Sequence, residues 1–117
     1  MFGEMRCVIT ARLFREEKCF GPGIAELLEG IEELKSLRAA AMRMGMAYSK
    51  AWRIIHECEE KLGFRLLYSS TGGRGGGGAE VTPEGKKLLS RFRTLEKELK
   101  KTADALLQAW REEDANL

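Results

Sequence analysis

Hydrophobic positions along the chain fall into blocks with different periods. Cys7 to Phe14 (CVITARLF) is rich in β-branched and apolar residues, and the polar Arg15-Glu16-Glu17-Lys18 separates it from the short Cys19-Phe20 segment. That arrangement predicts a small β-hairpin. Gly21-Pro22-Gly23 interrupts the chain, after which Ile24, Leu27, Leu28, Ile31 and Leu34 recur at the spacing of an amphipathic helix. Ser36 is placed to cap a second, short helix from Leu37 to Met44, compact through Ala39, Ala40 and Ala41 and stopped by Gly45. A third helix is predicted from about Tyr48 to Leu62. Ala51, Trp52, Ile55, Cys58 and Leu62 lie on one stripe of it, with Lys50, Arg53, Glu57 and Lys61 largely off that stripe. Two helices joined by a tight turn containing Gly are the pattern of a helix-turn-helix.

Arg65 to Thr71 (RLLYSST) reads as a strand, and Ala79-Glu80-Val81-Thr82 as its return partner across the glycine run Gly72 to Gly78. A strand, loop and strand in that place make a wing. Thr82 and Pro83 then form an N-cap and first-turn pair that opens a long helix running to about Glu113. Along it Leu88, Phe92, Leu95, Leu99, Thr102, Leu106 and Trp110 alternate steps of four and three, close to a heptad seam. Such a seam on a small domain asks for a partner; the alternative is a helix that folds back on its own domain. The expected organisation is a winged helix-turn-helix over 1–82 and a long C-terminal dimerisation helix over 83–117. The fold class is mainly α with a small β part.

Charge adds a local signal. The net charge is only +2, but eleven Lys and Arg face five Glu between Arg38 and Arg93, whereas Glu26, Glu29, Glu32 and Glu33 make the first helix acidic. The three cysteines, Cys7, Cys19 and Cys58, are odd in number and widely spaced, with no CxxC or Cys/His pair to suggest a metal. They fit reduced thiols in a cytoplasmic protein. No apolar run approaches the roughly 18 residues of a membrane span, so no membrane partner is expected.

Candidate chemistry concentrates on two places. Tyr48, Ser49, Lys50 and Arg53 open the third helix, where a recognition helix would reach base edges and phosphates. Tyr48 and Ser49 can donate to phosphates, Lys50 can pair with a phosphate or a guanine, and Arg53 lies one turn beyond Ser49. The second place is the wing, where Gly73 and Gly75 flank the lone cation Arg74. Glycine lets a backbone approach a phosphate, and Arg suits a narrow minor groove; the other reading is a surface loop that binds nothing. Gly73, Gly75 and Gly78 formally spell G-x-G-x-x-G, but a strand-like segment follows them where a dinucleotide site needs a helix. Arg43, Lys61 and Arg65 fit either phosphate contacts or solvated charges. Trp52 reads as a core residue rather than a base-stacking platform. Met42, Met44 and Met46 read as packing around the turn, and Glu59-Glu60 and Glu112-Glu113 as solvated faces. The single histidine, His56, has no partners for catalysis, so no enzyme, cofactor or metal site is expected.

Four stretches resemble the N-terminal DNA-binding domain of the molybdate-responsive ModE-type regulators, relatives of the LysR-type winged helices. They are Phe20-Gly21-Pro22-Gly23; Ala39-Ala40 through Gly45-Met46-Ala47-Tyr48-Ser49-Lys50-Ala51-Trp52; the wing Thr71 to Ala79 (TGGRGGGGA); and Val81-Thr82-Pro83-Glu84-Gly85. The resemblance implies that helix three enters the major groove, that the Arg74 wing touches neighbouring backbone or minor groove, and that helix four makes a two-fold dimer. The family's oxyanion-binding domain would follow the last helix, where this chain ends at Leu117; molybdate or another small effector is therefore not expected to bind within it. Ala47 stands where the family often places a Ser cap, which forgoes about 1 kcal/mol.

The expected function is sequence-specific binding of double-stranded DNA by a homodimer that regulates transcription. The alternatives are a non-specific architectural DNA binder and a protein-interaction module that has lost DNA binding.

Overall fold

The computed structural model of the chain describes residues 2–69 and 78–115. The order is β1 (Leu13–Arg15), β2 (Glu17–Phe20), α1 (Pro22–Leu34), α2 (Leu37–Arg43), α3 (Tyr48–Leu62), β3 (Leu67–Ser69), β4 (Ala79–Val81) and α4 (Pro83–Ala115). Two antiparallel ribbons, β1 with β2 and β3 with β4, flank a helical core. Among the described residues no helix is long and apolar enough to cross a membrane.

Each boundary has a local cause. Pro22 occupies the first turn of α1, where its missing N–H costs nothing, and Lys35 closes the helix with a left-handed φ of 58°. Ser36 caps α2 as its position suggests, its Oγ accepting from the Ala39 amide at 3.0 Å. Gly45, with φ 68°, turns the chain between α2 and α3, a conformation most side chains resist. Thr82 is buried and serves twice. Its hydroxyl donates to the Arg65 carbonyl at 2.6 Å and accepts from the Gly85 amide at 3.0 Å, so it joins the base of the wing to the start of α4.

The core is made by α1 and the elements packed around it. Leu27, Leu28 and Ile31 of α1, Ala40 and Ala41 of α2, Ala51 and Ile55 of α3, and Phe92 of α4 are fully or almost fully buried. Small residues let the helices approach: a Cβ on Gly30 would lie 2.9 Å from that of Ala40. Gly85 is equally constrained, since its Cβ would meet the Leu66 carbonyl oxygen at 2.9 Å.

Four expectations change here. The N-terminal strand is much shorter than Cys7 to Phe14, because β2 has only four residues before the Gly21 turn and offers no partner upstream of Leu13, which faces Phe20. The helix-four seam is split: Phe92 is only 1% exposed and meets Phe20 edge-on, with ring centroids 5.1 Å apart, so it belongs to the chain's own core. Glu59 is not a solvated acid, since its Oε2 accepts from the amides of Leu66 at 2.6 Å and Leu67 at 3.2 Å. The methionines divide as well; Met44 and Met46 pack against the core, while Met42 is exposed.

Cys19 and Cys58 are buried and free, and the Cys58 thiol donates to the Cys19 carbonyl. Burial, with the adjacent Cys19 thiol and Glu59 carboxylate, pushes the Cys58 thiol up from 9.0 to about 12.

Phe92→Ala should cost about 3–5 kcal/mol of stability in urea unfolding, the usual loss for a fully buried Phe. Cys58 gives a pH-dependent test. The unfolded chain releases this proton near 9.0 and the folded chain only near 12, so the thiol's contribution is intact below the first value and lost as pH rises toward the second. The stability gap between wild type and Cys58→Ala should therefore narrow as urea unfolding is repeated at rising pH across that window.

Candidate nucleic-acid interface

The third helix is held by a narrow stripe. Ala51, Ile55 and Cys58 are its buried residues, and Ile54 and Leu62 are partly covered. At 100° per residue, Ser49, Arg53 and Glu57 fall opposite that stripe and Lys50 falls at its flank. All four are exposed, so the first two turns of α3 present a polar and mainly cationic surface. Ala47 provides no side-chain cap, which leaves the first amides of α3 without one. Tyr48 is 39% exposed, and the Arg38 guanidinium lies 4.3 Å from its ring centroid, adding a cation from α2 beside the helix start.

The cations differ in how they are held. Lys50 has no ion-pair partner among the described residues, while Arg53 stands 3.9 Å from Glu57, an exposed and weak pair. Arg43 is taken by Glu33 at 2.5 Å and Lys61 by Glu17 at 3.4 Å, which favours the solvated-charge reading for these two. Arg93 reaches Glu29 with two nitrogens and Glu96 with a third, so it braces α4 on α1; the Glu29 hydrogen bonds raise its pKa further. Lys86, Lys87 and Arg91 at the start of α4 are also exposed and stand outside the ion pairs among the described residues, so the local basic excess divides between the start of α3 and the start of α4.

Two residues were not legible as site components. Trp52, expected in the core, is 47% exposed and stacks on His56 with ring centroids 3.7 Å apart and planes 20° from parallel. His56 Nδ1 donates to the Trp52 carbonyl at 2.7 Å, which fixes the stack beside Ser49 and Arg53 on the same helix. A helical projection carries the signal, because Trp52 lies at the margin of the stripe that Ala51 and Ile55 centre. Arg38 carries no such signal; its place over Tyr48 is set by how α2 packs on α3.

The wing ladder pairs Leu67 with Val81, Tyr68 with Glu80 and Ser69 with Ala79. Gly73, Arg74 and Gly75 lie outside the described residues. On α4, Leu88 is partly covered by the core, while Leu95, Leu99, Leu106 and Trp110 are 38%, 37%, 58% and 46% exposed in the single chain.

Helix-turn-helix and β-ribbon, with a cationic second helix and a long trailing helix, define a winged helix-turn-helix domain. Residues 25–86 match the bacterial regulatory helix-turn-helix proteins of the lysR family, and the chain belongs to that family. It is 32% identical over 91 residues to the molybdenum-pterin-binding protein MopB of Rhodobacter capsulatus, covering 78% of this chain and 34% of that protein. To the DNA-binding transcriptional dual regulator ModE of Escherichia coli K12 it is 32% identical over 103 residues, covering 87% of this chain and 39% of that one. The chain thus spans little more than a third of the length of these two curated relatives. Its fold is also that of the CbnR DNA-binding domain in a crystal structure with DNA, with a TM-score of 0.58, 23% identity, and coverage of 74% of this chain and 94% of that one.

Glu59 links α3 to the wing, so its loss should be felt at both. Glu59→Ala leaves the Leu66 and Leu67 amides without their acceptor and should cost about 1–3 kcal/mol in urea unfolding. Hydrogen exchange at those two amides should accelerate more than at the α1 core; equal protection would show that Glu59 does not anchor the wing.

Proposed function

We propose that the chain is a sequence-specific DNA-binding regulator that acts as a homodimer, with α3 in the major groove, the wing against neighbouring backbone and α4 as the pairing element. The observation that carries this reading is the exposed Ser49, Lys50 and Arg53 surface on the first turns of α3, set directly over the buried Ala51 and Ile55. A helix so mounted is rigid, and its side chains project as one unit into a groove wide enough for a helix. Phosphate contacts from Tyr48, Ser49 and Lys50 would position it, and Lys50 and Arg53 would read bases. The exposed leucines of α4 support pairing, and the likeness to a regulator named as DNA-binding supports the partner. Acidic helix α1 gives little support to a protein-docking role, since Glu29 and Glu33 are occupied by Arg93 and Arg43.

The test is selection of bound duplexes from fragmented source DNA at low and high salt. The expected result is a two-fold motif with half-sites about 10 base pairs, or a multiple, apart, because two-fold-related helices must face one side of the duplex. Lys50→Ala with Arg53→Ala should weaken binding by about 1–3 kcal/mol for each base-reading side chain removed and flatten the salt dependence. Retention without a motif, lost steeply with salt, would instead identify an architectural binder. No retention, or a double variant indistinguishable from wild type, would remove α3 from the reading.

A further inference from the structure

The segment before β1 has the sequence pattern of a strand and pairs with no strand among the described residues. Met5, Cys7, Ile9, Ala11 and Leu13 alternate with Glu4, Arg6, Val8, Thr10 and Arg12, one apolar face against one largely polar face. Only Leu13 onward enters a ladder. Met5, Val8 and Ile9 are 49%, 76% and 46% exposed, and from Arg6 to Ala11 no main-chain group bonds to another among the described residues. Both ends of the segment are nevertheless fixed. Leu13 pairs with Phe20, which packs on Phe92, while Arg111 donates to the carbonyls of Gly3 and Met5 and Phe2 lies 5.8 Å from the Trp110 ring. From Phe92 to Arg111 the helix rises roughly 28 Å. From Met5 to Leu13 a fully stretched chain reaches at most about 28 Å. The arm therefore spans much of the projecting length of α4 between these two ties.

We infer that this arm pairs with the same arm of a second copy, forming an antiparallel two-stranded ribbon across the two-fold axis of the dimer. The inference rests on the homodimer proposed above and adds a surface to it. The turn that the Met5 amide closes on the Phe2 carbonyl ends the arm, so the stretch open to pairing runs from Met5 to Arg12, and its main-chain groups from Arg6 to Ala11 are unpaired among the described residues. Antiparallel pairing centred on Val8 puts Val8 opposite its own copy, Arg6 opposite Thr10 and, on the apolar face, Cys7 opposite Ile9. The axis position agrees with an independent feature. In an antiparallel pair of α4 helices Leu95 meets Trp110 and Leu99 meets Leu106, about a point between Thr102 and Ala103. Val8, three-eighths of the way from Met5 to Leu13, lies level with roughly residue 104 of the helix it runs along. One two-fold axis serves both.

Cysteine cross-linking tests the pairing. Ile9→Cys, with the native Cys7 opposite, should give a covalent dimer under mild oxidation, since directly opposed residues of a ladder come within disulfide reach. Thr10→Cys combined with Cys7→Ser should not, because its own copy would be about 13 Å away along the ribbon. Val8→Asp, which would set two carboxylates opposite each other on the two-fold axis, should raise the dimer dissociation constant several-fold. Sedimentation equilibrium separates the two proposals. Dimer mass without the Ile9→Cys cross-link, or a Val8→Asp chain that pairs as tightly as wild type, overturns the arm pairing and leaves the homodimer standing. Monomer mass overturns both.

Discussion

The edge-on contact of Phe20 with Phe92 decides how this molecule is built. It joins β2 to α4, and with the Arg93 bridge to Glu29 it fixes the direction in which α4 leaves the domain. Such a ring pair contributes about 0.5–1.5 kcal/mol beyond the area it buries. Its position matters as much as its strength. Because Phe92 lies in the third turn of a 33-residue helix, about ten residues of α4 belong to the domain and the rest projects, leaving Leu95, Leu99, Leu106 and Trp110 out of reach of the core.

The same economy governs α3. Ala51 and Ile55 are enough to seat the helix because α1 and α2 come close through Gly30, Ala40 and Ala41, where larger side chains would hold them apart. A narrow buried stripe leaves most of the circumference of α3 to solvent. That geometry allows Ser49, Lys50, Trp52 and Arg53 to be exposed within little more than one turn. Glu59 then ties the helix to the base of the wing through main-chain amides, so a single carboxylate couples the two elements.

Much of this was written in local patterns. Ser36, Gly45, Thr82 and Pro83 act where their chemistry places them, and α3 runs from Tyr48 to Leu62 as its periodicity indicates. Periodicity could not divide the α4 seam, because the step from Phe92 to Leu95 is regular whether the neighbour is the chain's own Phe20 or another molecule. Nor could composition distinguish Glu59 from the adjacent Glu60; only the tertiary approach of Leu66 makes one of them an acceptor for buried amides. Trp52 misled for a simpler reason. Its size argues for burial, but the stripe ends beside it and the His56 ring covers one of its faces instead. The strand signal from Cys7 to Ala11 speaks only of propensity, and propensity does not say which chain supplies the other strand.

Shape follows from the same division. A compact chain of this length would have a radius of gyration of about 13 Å, whereas the value here is 18.4 Å with a longest extent of 67 Å. The distal half of α4 accounts for the excess. It buries only Leu107 and is steadied by Phe2 and by the Arg111 grip on the arm. Helices of that length are marginal alone in water, so most of its order must come from tertiary contact. On the proposed reading a second copy supplies that contact, and ordering of the distal helix and pairing of two chains become one equilibrium. Two half-sites on one duplex would bias it further. A chain bound at the first site meets the second at an effective concentration set by the duplex rather than by bulk solution. DNA would then stabilise the same seam that positions the two α3 helices, and discrimination between paired and isolated half-sites would arise from the pairing equilibrium with no further base readout.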